Sequence, residues 1–140
     1  MATKPNTRLE LEFINTFVVR PKRARYSSFV VSPRLREKFL ATLHSFSDFN
    51  PRLKVTLPRR QSTSRGFLAE LRRRNPAATC YLISTHADLD GTTLPLEAAI
   101  NDVHGLHDGT IVVCTPTLAY YEGEWRYRFI LDSQPLGGAR

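Results

Sequence analysis

A chain of 140 residues with 41% hydrophobic and 24% charged residues is long enough to bury one core, and its composition excludes the disordered and collagenous classes. No apolar run approaches the roughly 20 residues of a membrane-spanning helix, and acidic residues interrupt the apolar run of MATKPNTRLELEF, so neither a membrane span nor a secretory signal is expected. The net charge of +7 is unevenly divided: residues 1–78 hold four lysines and thirteen arginines against five acids (+12), and residues 79–140 hold three arginines against eight acids (−5). Such a split marks either a surface for an acidic partner or two halves that attract each other.

In chain order, Thr7 followed by Glu10 has the spacing of a capping box, and Leu9, Phe13 and Phe17 share one helical face behind it. This first helix is expected to end or kink at Arg20-Pro21, because proline disfavours a helical predecessor. A second helix is read over KRARYSSFVV, with Tyr26, Phe29 and Val30 on its apolar side. Ser32-Pro33 starts a third, since serine suits the N-cap and proline the first helical position. Leu35, Phe39, Leu40, Leu43 and Phe46 form its stripe. RLKVTLPRRQSTS, broken by Pro58, reads as an extended segment and loop. RGFLAELRRR then reads as a shorter helix with Phe67, Leu68 and Leu71 inward, although Gly66 is a poor helix former.

After Thr79 the pattern changes. CYLIS and TIVVCT read as buried strands, with a helix over LPLEAAINDVHG between them. If those two strands paired in parallel, the crossover would be right-handed; an edge strand near GTTL is the other arrangement. LAYYEGEWRYRFIL reads as a hairpin turning at Glu122-Gly123-Glu124, with Trp125, Tyr127, Phe129 and Leu131 on its apolar face and Arg126, Arg128 and Ile130 opposite. The expected fold is α+β: N-terminal helices (about 7–75) packed on a small mixed or antiparallel C-terminal sheet (about 79–132), forming one domain over 1–132 with a flexible tail at 133–140. Cys80 and Cys114 show neither metal-ligand nor disulfide-framework spacing and read as small buried thiols, with a cytoplasmic location by default.

DLDGTT, within HADLDGTTLPLE, resembles the first motif of the haloacid-dehalogenase-like hydrolases. The resemblance covers about six residues, and it implies Asp88 as phosphoryl-accepting nucleophile and Asp90 as general acid/base with Mg²⁺ on the carboxylates. The chain departs from that family in its context. Thr85, His86 and Ala87 separate Asp88 from the strand, and neither a later lysine nor an adjacent acidic pair follows. Counting from His86, the positions of Asp88, Asp90, Gly91 and Glu97 also fit a calcium loop, yet histidine is a poor first ligand for a hard cation. A turn into a helix explains the stretch more simply: Asp-Gly favours the turn, and Pro95 and Glu97 suit a first helical turn. His104 and His107 form an H-x-x-H pair across a helix end broken by Gly105, without a spacing that specifies a metal.

The remaining signal is cationic. Arg20, Lys22, Arg23 and Arg25 form one cluster, Arg59 and Arg60 a second, and Arg72, Arg73 and Arg74 a third. Arginine suits phosphate oxygens, so these nine residues are the expected anion-binding set. No catalytic set, cofactor motif or metal motif emerges. The expected function is a non-enzymatic cytoplasmic binding or regulatory module whose basic half faces nucleic acid or another polyanion, with no membrane partner. Two alternatives are a protein-interaction or homodimer module using the aromatic hairpin, and a metal-dependent hydrolase using Asp88 and Asp90.

Overall fold

The computed structural model describes residues 5–125 and 127–134. Its α+β architecture consists of five α-helices and a six-stranded antiparallel sheet. The helices are α1 (Thr7–Phe17), α2 (Arg23–Val30), α3 (Pro33–Thr42), α4 (Ser64–Arg72) and α5 (Leu96–Val103). The strands are β1 (Lys54–Val55), β2 (Thr79–Ser84), β3 (Thr93–Pro95), β4 (Thr110–Thr115), β5 (Leu118–Glu122) and β6 (Arg128–Asp132), in the spatial order β1-β6-β5-β4-β2-β3.

Strand alternation divides the core between the two faces of the sheet. Tyr81, Ile83, Ile111, Val113, Tyr121 and Phe129 cluster with Phe13, Phe17, Tyr26 and Phe39 of α1–α3. The intervening residues Leu82, Val112, Tyr120 and Ile130 cluster with Phe67 and Leu71 of α4 and with Ile100 of α5. The fold is therefore a three-layer sandwich. Helices cover both faces, with α1–α3 on one and α4 and α5 on the other. Burial on both sides explains why TIVVCT is a continuous apolar run.

Several expectations are corrected by pairing. CYLIS and TIVVCT, the bodies of β2 and β4, pair antiparallel (Leu82 opposite Val112), so the handedness of a parallel crossover does not arise. The GTTL segment does supply an edge strand, β3, but it lies outside β2 rather than between β2 and β4. Lys54 and Val55, within the segment read as extended segment and loop, form β1 against Leu131 and Ile130. Two residues are too few to show a strand period, so only the partner strand defines this edge. One step beyond the Tyr81–Val113 pair, Cys80 and Cys114 oppose each other as free buried thiols.

The helix boundaries shift for local reasons. Asn6, not Thr7, caps α1, its Oδ1 accepting from the Leu9 amide at 3.0 Å. Glu10 is thereby released from capping and turns into the core. The helix ends at Phe17, before Arg20-Pro21, because Val18 is extended and bridges to Phe49. Ser32 caps α3 as expected, and Thr63 caps α4 through a 3.0 Å bond from the Gly66 amide. Glycine at 66 is required by contact: a Cβ there would lie 1.9 Å from the Gln61 carbonyl oxygen. The hairpin is present, but β6 begins only at Arg128, so Trp125 sits in the connection with φ +59° and is 87% exposed. The expected apolar face of the second arm therefore loses Trp125, and Ile130 on its opposite face is fully buried. The Arg126 position in that pattern, and residues 135–140 of the tail, lie outside the described residues. Among the described residues no helix is long and apolar enough to cross a membrane.

Candidate anion-binding groove

The three cationic clusters do not share one face. Arg20, Lys22, Arg23 and Arg25 belong to the α1–α3 layer, in the 3₁₀ turn Arg20–Lys22 and in α2. Arg59 and Arg60 lie in a 3₁₀ turn at Arg59–Gln61, ahead of α4 on the other side of the sheet, and Arg72, Arg73 and Arg74 lie at the far end of that helix.

Their immediate partners also differ. Arg72 pairs with Glu97, Arg73 with Glu70, and Arg74 with both Glu70 and Asp132. This third cluster is largely neutralised, and two of its pairs join the basic half of the chain to the acidic half. Arg23 donates from Nε to the Val18 carbonyl at 2.8 Å, and Arg25 lies over the Phe29 ring. Arg20, Lys22, Arg59 and Arg60 are exposed.

Of these, Arg59 borders a groove of about 660 Å³. Its other walls include His104, His107 and Arg128, with Leu57 and Ser62. Four basic or imidazole side chains from three separate elements thus meet on the α4–α5 side, and no carboxylate lines the groove itself. Sequence inspection finds Arg59 through its cluster and the histidines through their spacing. It misses Arg128, which reads only as one cation on an alternating strand.

The groove is built on Glu122, the last residue of β5 and completely buried. Glu122 Oε2 accepts from the Gly105 amide at 2.8 Å and the His107 amide at 3.0 Å. Oε1 accepts from the Tyr120 hydroxyl at 2.8 Å and from Arg128 Nε at 3.1 Å. One carboxylate therefore fixes the loop after α5 and orients the arginine. His107 adopts φ +62°, an uncommon conformation for a non-glycine residue, and its bond to Glu122 holds it there. Burial, followed by the Glu122 charge, pushes the Tyr120 hydroxyl pKa well above its usual range.

His104 is the groove's least satisfied member. Its Nε2 is buried with no hydrogen-bond partner. Burial and the Arg128 charge hold its imidazole below the usual histidine range, against the opposing influences of Glu122 and the Ser62 backbone. A buried imidazole nitrogen without a partner is costly, and an anion oxygen placed beside it would supply the missing acceptor.

The acidic stretch Asp88–Asp90 serves a different arrangement. Asp90 accepts from Arg36 Nη1 at 2.6 Å, from Arg36 Nη2 at 2.8 Å and from the Ser84 amide at 3.1 Å. Arg36 also grips Glu10 through Nε (2.9 Å) and Nη2 (2.7 Å), and the Tyr81 hydroxyl donates to Glu10 at 2.6 Å. Burial alone would lower the Arg36 pKa; the bonds to Asp90 and Glu10 outweigh it and hold the guanidinium above its ordinary value. Asp88 is exposed, and Glu97 of the same stretch lies in α5 against Arg72. Gly91 turns the chain with φ +76°. Among the described residues no three His, Cys, Asp or Glu side chains converge as metal ligands. The residues of DLDGTT thus form a turn pinned to the helical layer by Arg36. Set against family models, curated proteins and solved structures, the chain matches none of them.

Proposed function

We propose that this chain is a small, non-enzymatic cytoplasmic binding module that engages an acidic partner, with nucleic acid the leading class, through the basic groove beside Arg59. The convergence of exposed Arg59 with Arg128, His104 and His107 around one space, with Glu122 paired to Arg128 behind its wall, is the observation that carries the reading. Exposed Arg60 extends the positive surface beyond the groove. Cations so placed attract phosphates and release counterions on binding, which makes affinity salt-dependent. The free thiols of Cys80 and Cys114 are compatible with a reducing compartment.

Fluorescence anisotropy with a labelled single-stranded oligonucleotide tests this. Engagement of about three phosphates gives a log K against log[salt] slope of about −2. Arg59→Glu with Arg60→Glu is expected to abolish most binding, whereas Arg20→Glu with Lys22→Glu, on the other layer, has the smaller effect. Absent binding at low salt, or affinity indifferent to salt, would overturn the reading.

A second reading rests on Trp125. An 87% exposed tryptophan beside 42% exposed Tyr127 is a large apolar surface on a hairpin connection, and tryptophan commonly anchors protein interfaces. Light scattering on the parent and on Trp125→Ala checks the homodimer version. The expected result is a dimer that the substitution dissociates, and a parent monomer at all concentrations removes it.

A further inference from the structure

The shape and chemistry of the groove narrow what it takes. Three donor-bearing side chains line one space: Arg59, Arg128 and His104, whose Nε2 is shielded from solvent and has no hydrogen-bond partner. Among the described contacts, Arg128 engages Glu122 through Nε and Nη2, so Glu122 orients the guanidinium that borders the groove. We propose that the groove is a site for a single tetrahedral oxyanion, a phosphate or sulfate group, held by Arg59, Arg128 and His104. This rests on the groove being the seat of the acidic partner and names the group that enters it.

Three features distinguish such a site from a generally basic surface. The walls come from the turn before α4, the loop after α5 and strand β6, so donors approach from several directions. Tetrahedral oxyanions require that arrangement, because their oxygens project outward on all sides. Glu122 fixes the loop and one arginine before any ligand arrives, which lowers the cost of ordering them on binding. Finally, the unpartnered His104 nitrogen loses its penalty only when an acceptor is supplied.

A pH dependence follows from the same geometry. Arg59, Arg128 and His107 face His104 as cations or potential cations, Glu122 as the opposing carboxylate, and Phe67 of α4 contributes only its ring. Without ligand, burial and Arg128 hold His104 below the usual histidine range, against Glu122 and the Ser62 backbone. A bound anion favours the protonated imidazole, so binding takes up a proton and tightens as pH falls through the histidine range.

The test uses sulfate, whose own charge does not change between pH 5.5 and 8. The full chain is titrated at constant ionic strength while the His104 ring protons and the Gly105 and His107 amides are followed by NMR. The expected result is saturable shifts at these residues, with affinity rising several-fold from pH 7.5 to 5.5. Arg59→Ala is expected to weaken sulfate about tenfold, and Arg34→Ala, on the opposite layer, to leave it unchanged. His104→Gln, which retains a donor but cannot acquire charge, is expected to flatten the pH profile while the other amide shifts confirm an intact fold. Inorganic phosphate and a 5′-phosphorylated trinucleotide, set beside its unphosphorylated form, distinguish a free anion from a terminal phosphate; Arg59-dependent binding of either supports the site. If neither inorganic anion nor terminal phosphate binds in an Arg59-dependent way, while an unphosphorylated oligonucleotide still binds with a salt slope, the oxyanion site is wrong and the module reading stands. If sulfate binds as described and oligonucleotides do not, the converse holds.

Discussion

Arg36→Met is expected to lower the unfolding free energy by about 3–5 kcal/mol. The side chain is nearly volume-matched, so the loss is not one of packing. Arg36 stands between Glu10, whose side chain is fully buried, and Asp90, whose side chain is 17% exposed. Removing it leaves the Glu10 carboxylate in the core with only the Tyr81 hydroxyl as a side-chain partner. Desolvation of an unpaired buried charge is what makes breaking such a pair expensive, even where the intact pair contributes little. The companion variant Glu10→Gln/Arg36→Met removes both charges and is expected to recover a substantial part of the loss. Urea unfolding of the two single variants and the double variant gives the coupling directly. A single-variant loss within 1 kcal/mol of the parent would show that Glu10 finds solvent or another partner, contrary to its burial.

Alkaline instability is the second large effect. Burial is the first cause raising the hydroxyl pKa values of Tyr120 and Tyr121: Tyr121 to about 12, and Tyr120 further, with the Glu122 charge adding to it. In the unfolded chain both return to about 10. A group whose folded pKa is raised contributes its full stability below the unfolded pKa and loses it as pH climbs toward the folded value. Stability is thus unaffected by these groups below about pH 9 and falls between pH 10 and 12. With two protons released on unfolding, the limiting slope is about 2.7 kcal/mol per pH unit. Tyr26, raised to about 12 by burial and its bond to Asp48, and Tyr81, raised by burial and its bond to Glu10, act in the same direction and steepen the fall. Unfolding midpoints measured at pH 9, 10 and 11 check this; a flat profile would mean the tyrosines ionise in the folded state. Tyr120→Phe is expected to reduce the slope, although it also withdraws a hydrogen bond from Glu122.

The long, strongly periodic elements were legible from residue pattern. Phe13 and Phe17 of α1, Phe67 and Leu71 of α4, and the two strands CYLIS and TIVVCT all carry enough consecutive signal to be read without a partner. What escaped depends on pairing across distance. β1 exists because Leu131 and Ile130 lie beside it, and no property of Lys54 and Val55 announces that. The second helical layer follows from the alternate residues of β4 and β5 being apolar on both faces, a signal present in the sequence but ambiguous between a buried strand and a hydrophobic run. Glu10 shows a subtler failure: its spacing from Thr7 fits a capping box, yet Asn6 takes the cap and a distant arginine takes the glutamate.

The candidate site divides along the same line. Charge counting brought Arg59 and Arg60 forward, and spacing brought His104 and His107 forward, but as unrelated features. Their meeting depends on Glu122, which joins the loop after α5 to β5 and to Arg128. By residue type the three arginine clusters are equivalent. The structure distinguishes them by their neighbours, since Glu70, Glu97 and Asp132 occupy the third.

The ends of the sheet restrict how this protein can meet others. One edge is the two-residue β1 and the other the three-residue β3, which finishes on Pro95 and so lacks a backbone donor at that point. An incoming peptide finds little ladder to extend at either side, and Lys54 adds charge at the shorter one. Strand addition, a common and sequence-tolerant way for one chain to capture another, is thereby poorly served. Any partner would instead meet side chains on the helical layers and the connecting turns, where selectivity is set by the chemistry of individual groups rather than by a shared backbone.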